Sequence, residues 1–133
     1  MISEVSYHGK LRTVCTHLKS KSCIETDAPT DNNGKGERFS PTDLVATALA
    51  SCMITVMGIR AQLSDIPFET VSASVQKYMG TSPRRITEIK VEIVVQDVWN
   101  EKQRDIMEQA ARTCPVAQSL SPELAQDVSF KYT

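Results

Sequence analysis

Hydrophobic and polar positions in the first forty residues alternate in short stretches and then lose their pattern. Residues 2–8, 11–18 and 21–26 predict three short strands, separated by His-Gly-Lys and Lys-Ser-Lys turns. Residues 29–40 are polar and contain two glycines and two adjacent asparagines. That composition predicts a loop between the third strand and the element that begins after residue 40.

Alternation is clearer in the second half of the chain. Apolar side chains take every second position over 71–75 and again over 89–95. This period predicts two strands of a sheet with one covered face. Residues 80–84 between them predict a hairpin turn, and residues 128–132 predict a final strand.

A long helix is predicted between the two groups of strands. Ser40 can cap it, Pro41 suits its first position, and Asp43 completes a capping pattern three residues after the serine. The helix should run from Pro41 to about Gln62. Residues 44–59 contain no charged side chain, so we expect the helix to be buried on most sides.

A second helix is predicted after Asn100, which can act as its cap. Its apolar stripe follows the helical spacing i, i+3, i+4, i+7 through Met107, Ala110, Ala111 and Cys114. Pro115 directly follows Cys114, and the residue before a proline is biased away from helical geometry. We therefore expect the chain to bend at Cys114 and a short new helix to open at Pro115.

The element order βββ-α-ββ-α-β predicts an α+β fold in one domain, residues 1–133. A helix buried on most sides needs more cover than one sheet of a chain this size easily supplies. The 16-residue uncharged run would also expose much apolar surface in a lone subunit. The sequence therefore predicts a homodimer with helix 41–62 at its centre.

Net charge and the lengths of the apolar runs exclude several classes of partner and location. The net charge is −1 and the basic residues are scattered, which argues against nucleic acid or an anionic membrane as a partner. The first residues carry Glu4 and no apolar run, so no secretory signal is predicted. The uncharged run 44–59 is shorter than the roughly 20 residues that span a bilayer. We expect a soluble, cytoplasmic protein.

The cysteines indicate thiol chemistry rather than a metal centre. The chain has four cysteines and no C-x2-C pair, so neither structural zinc nor any other metal or cofactor is predicted. A framework of structural disulfides is not expected in the cytoplasm. Cys15 and Cys23 lie on predicted strands and are interpreted as packing residues.

Cys52 and Cys114 each allow two interpretations. Cys52 lies in the middle of the apolar helix, where it could be a small buried hydrophobe or a reactive thiol. A reactive thiol there would need a nearby cation, because the helix dipole acts at the helix ends. Cys114 could simply end a helix, or it could sit at the cap of the next one, where a thiolate is stabilised.

Two motifs, SPTDLVATALASCMITVM and TCPVAQSL, together with the element order, resemble the OsmC/Ohr family (osmotically inducible protein C and organic hydroperoxide resistance proteins). The resemblance covers essentially the whole chain and is nearest to a less characterised OsmC-like branch. It implies an OsmC-like fold in an intertwined homodimer and a role in the oxidative stress response. It also implies an antioxidant thiol peroxidase that reduces organic hydroperoxides without metal or haem.

The resemblance also implies roles for the two thiols. By position, Cys52 matches the peroxidatic cysteine and Cys114 the resolving one. Peroxide would oxidise Cys52 to a sulfenic acid, Cys114 would condense with it to a disulfide, and an external thiol or dithiol would reduce that disulfide. The alternative, from another class, is a non-catalytic dimer that binds an apolar ligand or senses oxidants in the same interface pocket.

The chain departs from the family pattern at the start of the long helix. Members commonly carry a glutamate directly after the proline, where this chain has Thr42. Asp43 lies about 180° around the helix from Cys52, so a capping role is expected for it. Arg12 is the favoured cation to activate Cys52, because a strand holds a side chain more rigidly than a loop. Arg38 is the alternative.

Overall fold

The computed structural model describes every residue from Met1 to Thr133. The six strands and three α-helices follow in the predicted order, and the short third helix lies before the last strand. One 3-10 turn, which was not predicted, lies in the loop before the long helix. The residues group into two compact units, which we call the N-terminal unit (Met1–Val45) and the C-terminal unit (Ala46–Thr133). The prediction of a single domain over 1–133 stays a prediction.

The N-terminal unit is built on a three-stranded antiparallel sheet. Its strands, in spatial order, are β1 (Ser3–Tyr7), β2 (Arg12–His17) and β3 (Cys23–Asp27). The three predicted strands are thus confirmed to within two residues at each end. The register places Val5 opposite Cys15 and Cys15 opposite Ile24, so these three side chains share one face. The loop after β3 contains the 3-10 turn Thr30–Asn32.

The long helix α1 spans Pro41–Ser64, two residues beyond its predicted end. The backbone N–H of Asp43 donates to Ser40 Oγ at 3.0 Å, and the N–H of Ser40 donates to Asp43 Oδ2 at 2.9 Å. These two bonds satisfy backbone donors that the first turn of a helix leaves without partners. The predicted capping role of Asp43 is confirmed.

In the C-terminal unit, a three-stranded sheet packs with the helices around one core. The strands are β4 (Val71–Gly80) and β5 (Arg85–Val95), an antiparallel hairpin, with β6 (Ala125–Tyr132) parallel to β5. Every second side chain of β5 from Ile89 to Val95 is buried. The predicted hairpin and covered face are confirmed, and the last strand begins three residues earlier than expected.

One face of α1 enters that core. Its buried residues are Ala46, Leu49, Ala50, Met53, Met57 and Ala61. The opposite face remains exposed, including Ile59 and Leu63, so the single chain covers one side of the helix rather than most of it. By length and composition alone α1 could cross a membrane. Its place in a folded core accounts for its apolar character equally well.

The chain leaves helical geometry just before Cys114. Helix α2 (Glu101–Arg112) begins with a capping box between Asn100 and Gln103, as its sequence predicts. Cys114 then adopts an extended backbone as the N-cap residue of α3 (Pro115–Ser119), with the proline at the first helical position. The predicted bend and new helix are confirmed, and they set the position of the second thiol.

The α1 cap gives a direct test of this local structure. Ser40→Ala removes the side-chain acceptor at a buried position, so we expect the free energy of unfolding to fall by about 1 kcal/mol. Urea unfolding followed by circular dichroism measures the change. Ser64→Ala, at the exposed C-terminal end of the same helix, is the matched control and should stay within about 0.5 kcal/mol of the parent. Equal losses in both variants would contradict the capping role.

Candidate active site

Cys52 lies in the middle of α1, partly buried, and packs against the hydrophobic core of the C-terminal unit. Its neighbours Ser51 and Thr55 face solvent. The Thr55 hydroxyl donates to the Ser51 backbone carbonyl at 2.8 Å and is therefore engaged within the helix. Cys52 thus combines a buried flank with an accessible one.

Cys114 is fully buried, with 0 % of its surface exposed, and belongs to the core itself. Its N-cap position places its thiol near the backbone N–H groups of Val116 and Ala117, which act to lower its pKa, although the side chain makes no capping hydrogen bond. Because the extended backbone at Cys114 follows from Pro115, local sequence determines where the bend lies.

The fold brings the two thiols together. Cys52 packs against the core cluster that contains Cys114, 62 positions away in sequence, and lies near enough to raise the pKa of the Cys114 thiol. Both are free thiols, as are Cys15 and Cys23. A disulfide needs its two cysteines in this kind of proximity. The arrangement is chemically suited to reversible dithiol–disulfide conversion.

The surroundings of Cys114 favour its protonated form. Burial raises the pKa of the Cys114 thiol above its usual value, because the thiolate loses hydration. The N–H group of Ala117 acts in the opposite direction, the neighbouring Cys52 raises the pKa further, and the N–H of Val116 lowers it. At neutral pH Cys114 is therefore held as a thiol, and Cys52 is the less buried of the two residues.

Arg12, the favoured activating residue, is surrounded by carboxylates of its own unit. Its Nε and Nη2 donate to the two oxygens of Asp27, both at 2.8 Å. Glu25 and Glu37 each approach the guanidinium at 3.3 Å. The Arg12 hydrogen bond lowers the pKa of Asp27, whose side chain is 1 % exposed. Asp27 in turn raises the pKa of Arg12, which stays charged.

Arg38 belongs to the same cluster. Its Nη1 donates to the Glu37 backbone carbonyl at 3.0 Å, and its Nε lies 3.7 Å from Glu25 Oε1. Sequence reasoning identified both arginines but missed their acidic partners. The available signal was the alternation of Glu25 and Asp27 along β3, which places both carboxylates on the face of the sheet that carries Arg12.

The remaining cysteines lie in the N-terminal unit on opposite faces of its sheet. Cys15 is opposite Ile24, and Cys23 is opposite Thr16. Cys23 donates to the Lys21 carbonyl at 3.6 Å. No group of three or more His, Cys, Asp or Glu side chains is arranged to hold a metal ion. Of the four free cysteines, Cys52 and Cys114 are the two that pack in the core of the C-terminal unit.

The family model for OsmC-like protein matches residues 34–129. The chain belongs to the OsmC-like family. A Psychrobacter arcticus protein, named as an osmotic stress induced and detoxification response protein, has a crystal structure that is 46 % identical, with a TM-score of 0.94. The match covers 98 % of this chain and 95 % of that one. The predicted family and the α+β, OsmC-like fold are confirmed.

Solved structures with lower sequence identity show only that the fold is shared. An organic hydroperoxide resistance protein from Legionella pneumophila is 17 % identical, with a TM-score of 0.70, over 100 % of this chain and 97 % of that one. An organic hydroperoxide resistance protein from Elizabethkingia anophelis is 15 % identical, with a TM-score of 0.75 and the same coverage. No curated protein matches this sequence.

Proposed function

We propose that this OsmC-like protein is a thiol-dependent peroxidase that reduces organic hydroperoxides. The observation that carries the proposal is the packing of the partly buried Cys52 against the core cluster that contains the fully buried Cys114. The names of two structural relatives, organic hydroperoxide resistance proteins, support the choice of substrate class. Neither the proposed activity nor the proposed pairing needs a metal.

The first half-reaction takes place on Cys52, which is the accessible sulfur. Its thiolate attacks the hydroperoxide oxygen, an S–O bond forms, and the O–O bond breaks. The leaving alkoxide takes a proton and departs as the alcohol, so the peroxide is reduced by two electrons and Cys52 becomes a sulfenic acid.

The second half-reaction uses Cys114. Its sulfur attacks the sulfur of the Cys52 sulfenic acid, an S–S bond forms, the S–O bond breaks, and water leaves. Both side chains belong to the same packed region of the core, which supports their pairing. An external thiol or dithiol then reduces the disulfide and restores both thiols.

A homodimer is part of this proposal. In the single chain the outer face of α1 exposes Leu63 by 76 %, and one face of the N-terminal sheet exposes Tyr7 by 65 %. Exposed apolar patches of this kind mark protein–protein interaction sites, and we assign this one to a second copy of the chain. Light scattering at micromolar concentration should give the mass of two chains. A monomeric mass would contradict the proposed homodimer.

Substitution of each thiol tests the assigned roles. Cys52→Ser should reduce tert-butyl hydroperoxide consumption to the background rate, because serine forms no comparable nucleophile at neutral pH. Cys114→Ser should give one rapid turnover and then oxidation of Cys52 to the sulfinic acid. Mass spectrometry identifies the product. Cys23→Ser is the control and should retain full activity. If Cys114→Ser abolished peroxide consumption and Cys52→Ser kept one rapid turnover, the two assigned roles would be exchanged.

The disulfide-forming step should depend on pH. Burial raises the pKa of Cys114, so the attacking thiolate is scarce at neutral pH and increases as pH rises toward that pKa. We expect the rate of disulfide formation to increase from pH 7 to pH 9 by about tenfold per unit. Rapid-quench experiments after one equivalent of peroxide measure this rate. A rate independent of pH would contradict attack by a Cys114 thiolate of raised pKa.

The arginines are tested by conservative exchange. Arg12→Lys keeps a cation but loses the forked geometry, so the rate of Cys52 with tert-butyl hydroperoxide should fall about tenfold. Arg38→Lys is the matched control and should stay within about twofold. Light scattering and circular dichroism check that both variants remain folded dimers. A larger loss from Arg38→Lys would transfer the activating role to Arg38.

A further inference from the structure

The last strand, β6, has a glutamine among the side chains that face the core. Because successive residues of a strand point to opposite faces, Gln126, Val128 and Phe130 share one side of β6. The register places Gln126 opposite Ile89 and Val128 opposite Val91, and both of these β5 residues are buried. A polar side chain in such a row is costly unless it is hydrogen-bonded. The position of Gln126 therefore depends on a specific partner.

That partner lies in α3. Gln126 Nε2 donates to the backbone carbonyl of Ala117 at 3.0 Å. The last carbonyl groups of a helix have no partners within the helix, and a helix as short as α3, with five residues, is marginal on its own. The glutamine thus satisfies a carbonyl group that α3 leaves open. Because Cys114 is the N-cap residue of α3, a contact that fixes α3 also fixes the backbone at Cys114.

A second contact with β6 holds the other side of the bend. Arg112 is the last residue of α2, and its Nη2 donates to the backbone carbonyl of Val128 at 3.1 Å. Its guanidinium also lies 5.3 Å from the centre of the Phe130 ring. Arg112 comes two residues before Cys114, and Ala117 comes three residues after it. The bend is therefore anchored on both sides to one strand.

We propose that Gln126 is a positioning residue for Cys114, on which it acts through α3. Its hydrogen bond holds the bend where Cys114 can form the disulfide with Cys52. The inference rests on the proposed function for the part that this disulfide plays in turnover. Without the Gln126 bond, the bend of the dithiol form is free to adopt more conformations, and disulfide formation must then order them. The disulfide thereby becomes less favourable.

The equilibrium between dithiol and disulfide tests this role. The protein is the full chain with Cys15→Ser and Cys23→Ser, equilibrated with mixtures of reduced and oxidised glutathione. Two electrons pass from the protein dithiol to oxidised glutathione, which becomes two reduced molecules as the protein disulfide forms. Acid quenching, alkylation and mass spectrometry give the disulfide fraction. Gln126→Met keeps the side-chain length but removes the donor, so the equilibrium constant for disulfide formation should fall about fivefold.

The control is Ser129→Ala, at an exposed position on the other side of β6, which should keep the constant within about twofold of the parent. A contact that stabilised the dithiol and disulfide forms alike would leave the constant unchanged. A constant within about twofold of the parent in Gln126→Met would overturn the inference, as would a parent that forms no Cys52–Cys114 disulfide. If Gln126→Met does not fold, Arg112→Met, which removes the second anchor, is measured and judged by the same limits.

Hydroperoxide takes no part in this equilibrium, so the inference and the proposed function can fail separately. If the constant falls in Gln126→Met but the parent consumes no tert-butyl hydroperoxide, the positioning role stands and the peroxidase proposal fails. If the parent consumes the hydroperoxide and Gln126→Met keeps the parental constant, the peroxidase proposal stands and the positioning role is wrong.

Discussion

The packing of α1 against the Cys114–Pro115 bend is the interaction on which the candidate site depends. At this bend α2 ends, the backbone of Cys114 is extended, and α3 begins at Pro115. The same bend brings Cys114 into the core beside the uncharged middle of α1, where Cys52 lies. Two thiols distant in sequence are thereby placed in the same region of the core by ordinary packing. Their different exposures follow from the same geometry, because one sulfur lies within the core and the other at its border.

Local signals predicted most of the fold. The capping pair Ser40 and Asp43, the period-two pattern of β5 and the break before Pro115 each depend on near neighbours in sequence, and each is present in the structure. The uncharged helix was less informative. Its composition indicated burial on most sides, whereas a single chain covers only one face. Hydrophobicity shows that a surface must be covered, but it does not show by what.

The candidate site was predicted less completely, for physical reasons. No sequence spacing indicates that Cys52 and Cys114 meet, because their contact depends on how three helices and a sheet pack. Family resemblance suggested the pairing, and the structure places Cys52 against the core cluster that contains Cys114. The environment of Arg12 was also missed. Its partner Asp27 is set opposite it by the register of β2 and β3, whereas Glu37 reaches it from a later loop that no local pattern places there.

The central claim is that a hydroperoxide converts these two thiols into one disulfide within a single chain. The most direct measurement is a titration of the reduced Cys15→Ser, Cys23→Ser protein with tert-butyl hydroperoxide, with free thiols and tert-butanol counted at each addition. The account predicts that two thiols disappear for each alcohol formed, with no covalent link between chains. Loss of a single thiol per alcohol, or a disulfide that joins two chains, would contradict it.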